Sequence, residues 1–307
     1  MQWQKMGLVW SASGQHPWQS RGAGLPTPLD LGDGRLRVFV YSLDSQQIGR
    51  TGYVDVASDN PLRVLSVSSS PILDIGPAGA FDDHGVVPVS VVRIDSRTVY
   101  LYYVGFELCQ QIRYRLFTGL AISEDNGSSF RKLGRTPVLD RTDQELFFRC
   151  GSHVRYESGR FRLWYIAGSD WRELHGKQVP VYDLRYLESD DGVRWGPAGS
   201  LLMPLDPERE HGFGRPCVVE SPQGGYEMFF SARTLSTGAY QLGYARSLDG
   251  MCWQRCDDQL KLQGGQLPWD SQAQCFPAVI SQGSQRYMFY NGNDFGADGF
   301  GLAMQQR

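Results

Sequence analysis

The chain has 307 residues, of which 41% are hydrophobic and 21% charged, with a formal net charge of −3. No basic run or stripe gives it the electrostatic footprint of a nucleic-acid binder. No apolar stretch approaches the length of a membrane-spanning helix, so neither partner is expected.

Taken in chain order, residues 3–10 are strand-like and stand before a pattern that recurs five times. Each copy runs from a small or turn-forming residue into a short apolar strand, turns, and continues into an aromatic-rich strand and a third strand, with a fourth in the first four copies. The first copy covers residues 25–29, 37–41, 49–56 and 62–65, and the second 86–91, 99–103, 118–122 and 131–133. The third covers 151–154, 161–165, 184–188 and 199–202. The fourth covers 215–219, 226–230, 241–245 and a segment near 259–262. The fifth, 276–280, 287–290 and 299–303, has no room for a fourth strand before Arg307. Strand-only repeats of this length indicate a radial or solenoid architecture. The expectation is an all-β, five-bladed β-propeller, one domain over residues 1–307, whose last blade is closed by the N-terminal strand because open sheet edges invite aggregation.

Three third strands enter a shared turn, namely Ser123-Glu124-Asp125-Asn126-Gly127, Ser189-Asp190-Asp191-Gly192 and Ser247-Leu248-Asp249-Gly250, each followed by an aromatic at Phe130, Trp195 or Trp253. Asp and Ser bond the turn backbone, and Gly accepts positive φ. These turns resemble Asp-boxes, and their aspartates are assigned to structure. The six cysteines (Cys109, Cys150, Cys217, Cys252, Cys256, Cys275) have no zinc-type CxxC spacing and read as free thiols of a reducing cytoplasm. The N-terminus lacks the layout of a secretion signal. No metal or cofactor is expected, and no oligomeric state is fixed.

In a propeller the start of each innermost strand faces the mouth of a central channel. The segments before the inner strands hold Asp82, Asp83 and His84; Glu145 and Arg149; Glu210, His211 and Arg215; and Trp269 and Asp270. Asp82-Asp83 reads either as a turn or as paired acids whose repulsion raises one pKa. Glu145 reads as a loop acid or a catalytic one. Arg149 and Arg215 are partners for these acids or clamps for a carboxylate or phosphate. His84, His153 and His211 lack metal-ligand spacing. Trp269 is placed either to stack on a sugar ring or to pack between blades.

The repeat, the small-Pro starts of the inner strands and Phe81-Asp82-Asp83 together resemble the five-bladed propeller glycosidases. These are the arabinanase and xylosidase group (glycoside hydrolase family 43), the invertase-like enzymes and the mannoside phosphorylases. The likeness is greatest to a bacterial branch that tends to accompany surface-polysaccharide synthesis. The resemblance implies that carboxylates from the first three blades serve as base, tuning group and acid on a glycosidic bond. By position, Asp82 or Asp83 matches the second-blade carboxylate and Glu145 the third-blade acid. The first-blade position fails, since Gly24-Leu25-Pro26 stands where an aspartate is expected, which leaves Glu210 or Asp270 as a substitute base. The expected substrate is a carbohydrate or sugar phosphate, cleaved or transferred with Asp82, Asp83, Glu145 and Glu210 as catalytic groups. Arg149, His211, Arg215, Trp269 and Asp270 would bind it. Phosphorolysis or sugar-nucleotide transfer, and non-catalytic sugar binding, are the alternatives.

Overall fold

In the computed structural model residues 1–174 and 176–306 are described, Ser169 by its backbone alone. The strands are β1 (Gln2–Trp10), β2 (Arg21–Asp30), β3 (Arg35–Leu43), β4 (Gly49–Ala57), β5 (Val64–Val67), β6 (Val86–Arg93), β7 (Val99–Leu108), β8 (Tyr114–Ser123) and β9 (Arg131–Lys132). They continue as β10 (Phe148–Glu157), β11 (Arg160–Leu174), β12 (Lys177–Ser189), β13 (Ser200–Met203), β14 (Glu210–Glu220), β15 (Tyr226–Thr234), β16 (Tyr240–Ser247) and β17 (Gln254–Arg255). The last are β18 (Lys261–Gln263), β19 (Cys275–Gln282), β20 (Gln285–Asn291) and β21 (Phe300–Gln305). Two short 3₁₀ turns are the helical elements among the described residues.

Pairing divides these strands into antiparallel groups: β2-β3-β4-β5, β6-β7-β8-β9, β10-β11-β12-β13, β14-β15-β16-β17, and β19-β20-β21 extended by β1 and β18. Parallel bridges β8–β10 and β12–β14 join the three middle groups into one 12-stranded sheet. The first strand of each group touches the first strand of the next, and β19 returns to β2. The apolar core lies between groups. Leu29 and Phe39 of the first group pack with Phe81, Val86 and Leu101 of the second. Val38 and Val54 pack with Ala278, Phe289 and Phe300 of the last. The second strands carry most of the largest fully buried side chains, namely Phe39, Tyr102, Tyr103, Trp164, Tyr165, Phe229 and Tyr290, which suits aromatic residues between stacked pleated faces.

The Asp-box turns form as their residues dictate. Asp125 accepts from the amides of Ser128 and Ser129, Asp191 from Val193 and Arg194, and Asp249 from Met251 and Cys252. Each turn also docks on the second strand of the preceding group. Arg37 of β3 donates to the Gly127 carbonyl at 2.9 Å, Tyr102 of β7 to Gly192 at 2.8 Å, and Trp164 of β11 to Gly250 at 2.8 Å.

Two strand expectations need correction. The fourth strand of the fourth copy is residues 254–255, not the segment near 259–262. Asp257 accepts the Tyr244 amide and starts a 3₁₀ turn, after which β18 leaves to pair parallel with β1. The fourth strand of the first copy starts at Val64, because the Arg63 amide closes a turn on the Asn60 carbonyl.

Candidate functional site

Every inner strand changes register at the same level. The shifts fall between Gly24 and Thr27, Pro88 and Ser90, Cys150 and His153, Gly214 and Cys217, and Cys275 and Ala278. A β-bulge bends its strand and re-aims a side chain. Here it aims Leu25, Val89, Gly151, Arg215 and Phe276 into one cavity of about 440 Å³. The non-glycine residues Leu25 (φ 52°) and Phe276 (φ 54°) hold the left-handed conformation needed for this, a strained geometry that the Asn291 and Ser231 side chains secure by accepting their amides. The cavity lies where the inner strands begin and the second strands end, since Tyr41, Val104, Phe106, Ile166 and Arg233 complete its wall.

Arg215 is the one charged side chain among the five bulge positions. It is buried, and donates to the carbonyls of Val89, Pro26 and Phe276 and to the Thr27 hydroxyl at 2.8–3.3 Å. Burial pulls its pKa down to about 10, so it remains a cation at neutral pH. Nearer the opening, Arg233 lies beside the Tyr240 and Phe295 rings, and Tyr182 and Tyr240 share a 2.8 Å hydroxyl contact. Burial works against the Arg233 charge, but the neighbouring phenols outweigh it and raise its pKa. Arg113 and His84 stand exposed at the rim with Gln47 and Gln178. Among the described residues no carboxylate lies within ion-pair distance of Arg113, Arg215 or Arg233. No described group of three or more His, Cys, Asp or Glu residues could hold a metal ion.

The acids singled out in the sequence are spread over the groups instead of meeting at the mouth, and none lines the cavity. Each lies against its own group. Asp82 accepts from Lys132 of β9 at 2.6 Å and from the Tyr103 hydroxyl of β7 at 3.2 Å. Glu145 accepts from the Tyr165 hydroxyl of β11 at 2.8 Å and the Gly199 amide at 3.1 Å, and pairs with Arg149 at 2.5 Å. Glu210 takes a two-pronged bond from Arg255 of β17 at 2.5 and 2.9 Å. Asp270 accepts from the Tyr290 hydroxyl of β20 and from Lys5 of β1, both at 2.8 Å. The arrangement repeats: an acid ahead of the inner strand or at its first residue, an aromatic on the second strand and a cation, commonly from the outer edge. In the first group the preceding segment supplies Trp18, which donates to the Ser69 carbonyl and covers Gly52. That accounts for the missing first aspartate.

Of the remaining candidates, Arg149 is buried and donates to the Asp140 and Gly196 carbonyls. Trp269 is buried against Tyr290 and the backbone of Gly292 and Gly301. His211 is buried, its Nδ1 donating to the Pro180 carbonyl while Nε2 has no partner. Burial, then the charges of Arg233 and Arg172, lower its pKa. Asp83 alone of the acids reaches the rim, through a 2.9 Å bond to Nδ1 of the cavity-lining His84. Burial would raise its pKa, but His84 and the Gly79 amide hold it below the usual carboxylate range. Arg113, Arg233, Tyr114, Tyr182 and Tyr240 also line the cavity, and the sequence did not mark them. All lie on second or third strands or the turns beside them, away from the segments that precede inner strands. The raised bulge was legible only as Leu25-Pro26, Arg215-Pro216 and Phe276-Pro277.

Solved structures that share the fold of this chain include glycoside hydrolase propellers. A glycosyl hydrolase from Bacteroides ovatus superposes with a TM-score of 0.72 at 15% identity, covering 99% of this chain and 93% of its own. A thermostable family-43 glycoside hydrolase gives 0.65 at 16% identity, with coverages of 92% and 88%. A structure described under the GH130 family of mannoside phosphorylases, containing hydrolases that target β-1,2 mannosidic linkages in Candida mannan, gives 0.67 at 15% identity, with coverages of 99% and 93%. No protein-family model matches the chain. Two Mycobacterium tuberculosis proteins are each 31% identical over 304 residues, spanning 99% of both sequences. They are described as uncharacterized protein MT1551 (strain CDC 1551 / Oshkosh) and uncharacterized protein Rv1502 (strain ATCC 25618 / H37Rv). The chain belongs to the same family as these two.

Proposed function

We propose that the chain is a carbohydrate-active, five-bladed propeller, closed by β1, whose axial cavity binds a sugar carrying a carboxylate or phosphate. The blade count is supported by the five antiparallel groups and the cyclic contacts of their first strands, and closure by the pairing of β1 with β21. The ligand class is carried by one observation: three guanidinium groups face one cavity with no carboxylate in ion-pair reach among the described residues. Cations left without a protein counter-charge favour an anionic ligand, and planar guanidinium forks match carboxylate and phosphate oxygens.

For chemistry on that ligand, Asp83 and His84 are the pair kept for proton transfer, with Asp83 fixing the ring and His84 facing the cavity. Hydrolysis by two carboxylates flanking the bond finds little support, because Asp82, Glu145, Glu210 and Asp270 are engaged in ion pairs away from the cavity. Phosphorolysis or transfer from a sugar phosphate fits better, as a phosphate nucleophile needs no strong general base. Binding without turnover is the second reading, favoured by the same missing carboxylates. Titration with glucose 1-phosphate, glucuronate and glucose tests the ligand class. The two anions should bind, glucose should bind at least about tenfold more weakly, and Arg233→Gln should shrink the difference. Equal affinity for all three would remove the anion from the proposal. Product formation that depends on added phosphate separates phosphorolysis from binding alone.

A further inference from the structure

The cavity is graded from apolar depth to charged rim. Its apolar wall is built from Leu25, Val87, Val89, Val104, Phe148 and Ile166, all but Leu25 buried, whereas Gln47, His84, Arg113 and Gln178 at the opening are exposed. The deep end has little to offer a hydroxyl. Of the five guanidinium N–H groups of Arg215, four are already given to Pro26, Val89, Phe276 and Thr27. The other buried polar side chains of the lining are the weakly bonding Cys150 thiol, whose pKa burial raises, and the Tyr182 and Tyr240 hydroxyls, which already bond each other. A bare sugar ring pushed to this depth would lose water from several hydroxyls without replacing the bonds, and each such loss is costly.

We propose that the ligand enters apolar end first: it is a glycoside bearing an alkyl or acyl substituent that fills the deep chamber, with its anionic group held at the opening by Arg113 and Arg233. This rests on the sugar-binding reading above and adds the substituent. The Tyr114, Tyr182 and Tyr240 rings line the same cavity and would cover the sugar face while their hydroxyls meet its polar edge.

The test is calorimetric titration of the full chain with methyl and hexyl β-D-glucuronide, hexyl β-D-glucoside and hexanoate. Hexyl glucuronide should bind at least about tenfold tighter than methyl glucuronide, since each added methylene leaves water for an apolar wall. Val104→Thr, which places a hydroxyl in the chamber at nearly constant shape, should shrink that ratio and leave methyl glucuronide unchanged. Arg113→Gln should weaken both glucuronides and spare hexyl glucoside. Equal affinity for the methyl and hexyl glucuronides in the unmodified protein would overturn the apolar chamber while leaving the sugar reading intact. Hexanoate binding as tightly as hexyl glucuronide would overturn the glycoside while leaving the chamber. Failure of all four to bind would overturn both.

Discussion

Arg215 joins fold and site in one side chain. The bulges that open the cavity also strip the Pro26, Val89 and Phe276 carbonyls of ladder partners, and the Arg215 fork returns those bonds. Arg215→Met keeps the volume and removes the donors. With a penalty of about 1–3 kcal/mol for each buried acceptor left unpaired, urea unfolding should give a loss of at least about 3 kcal/mol. Arg215→Lys should recover little, because a point charge cannot reach three strands at once. His153 supports a second prediction. Its Nε2 donates to the Val218 carbonyl at 2.9 Å, and burial, with the charges of Arg155 and Arg215, pushes its pKa down to about 3. A histidine whose folded pKa lies below its unfolded value contributes stability that is present above about pH 6.5 and lost as pH falls toward 3. The loss should approach about 1.4 kcal/mol per pH unit within that window. His153→Gln should flatten the slope, and an unchanged slope would assign the acid sensitivity to other groups.

At the level of elements, the repeat was legible because strands built from alternating and aromatic runs announce themselves, and because Asp-Gly turns have one favoured geometry. The inner strands beginning at Val86 and next to Phe276 and the N-terminal strand through Trp10 stand where their residues indicate, whereas the one holding Arg215 starts earlier, at Glu210, so that Glu210 and His211 lie within it and not ahead of it. The edge strands were harder to place. β9 and β17 are two residues each, too short for any periodicity, and β18 pairs with a segment at the far end of the chain, as Gln2 against Lys261. The repeated bond of acid, aromatic and cation was hidden for the same reason. Asp270 finds Lys5 across almost the full length of the sequence. The acids were visible at matching places, but not the cations that neutralise them. This bond gives a prediction of its own. Lys5→Met leaves the fully buried Asp270 unpaired and should cost about 3–5 kcal/mol. A Lys5→Met, Asp270→Leu double variant should regain part of it, read by denaturant unfolding. A single variant as stable as the parent would mean that β1 does not clasp the last group.

For the molecule taken together, architecture and chemistry separate. The chain shares its fold with glycoside hydrolases at 15–16% identity, and fold by itself does not carry activity across such distances. The loops that would bring acids to a sugar instead bolt each group together, while the axial cavity is furnished with arginines, phenols and aliphatic side chains. A catalytic layout and a structural one look alike in sequence, because both put carboxylates ahead of inner strands. Only the direction of the side chains tells them apart. The most direct measurement is a crystal structure of the protein with glucose 1-phosphate. The sugar phosphate should occupy the axial cavity, its phosphate within hydrogen-bond reach of Arg113 or Arg233. Density for the ligand beside Glu145 or Asp270, with their ion pairs opened to receive it, would contradict the cavity as the binding site.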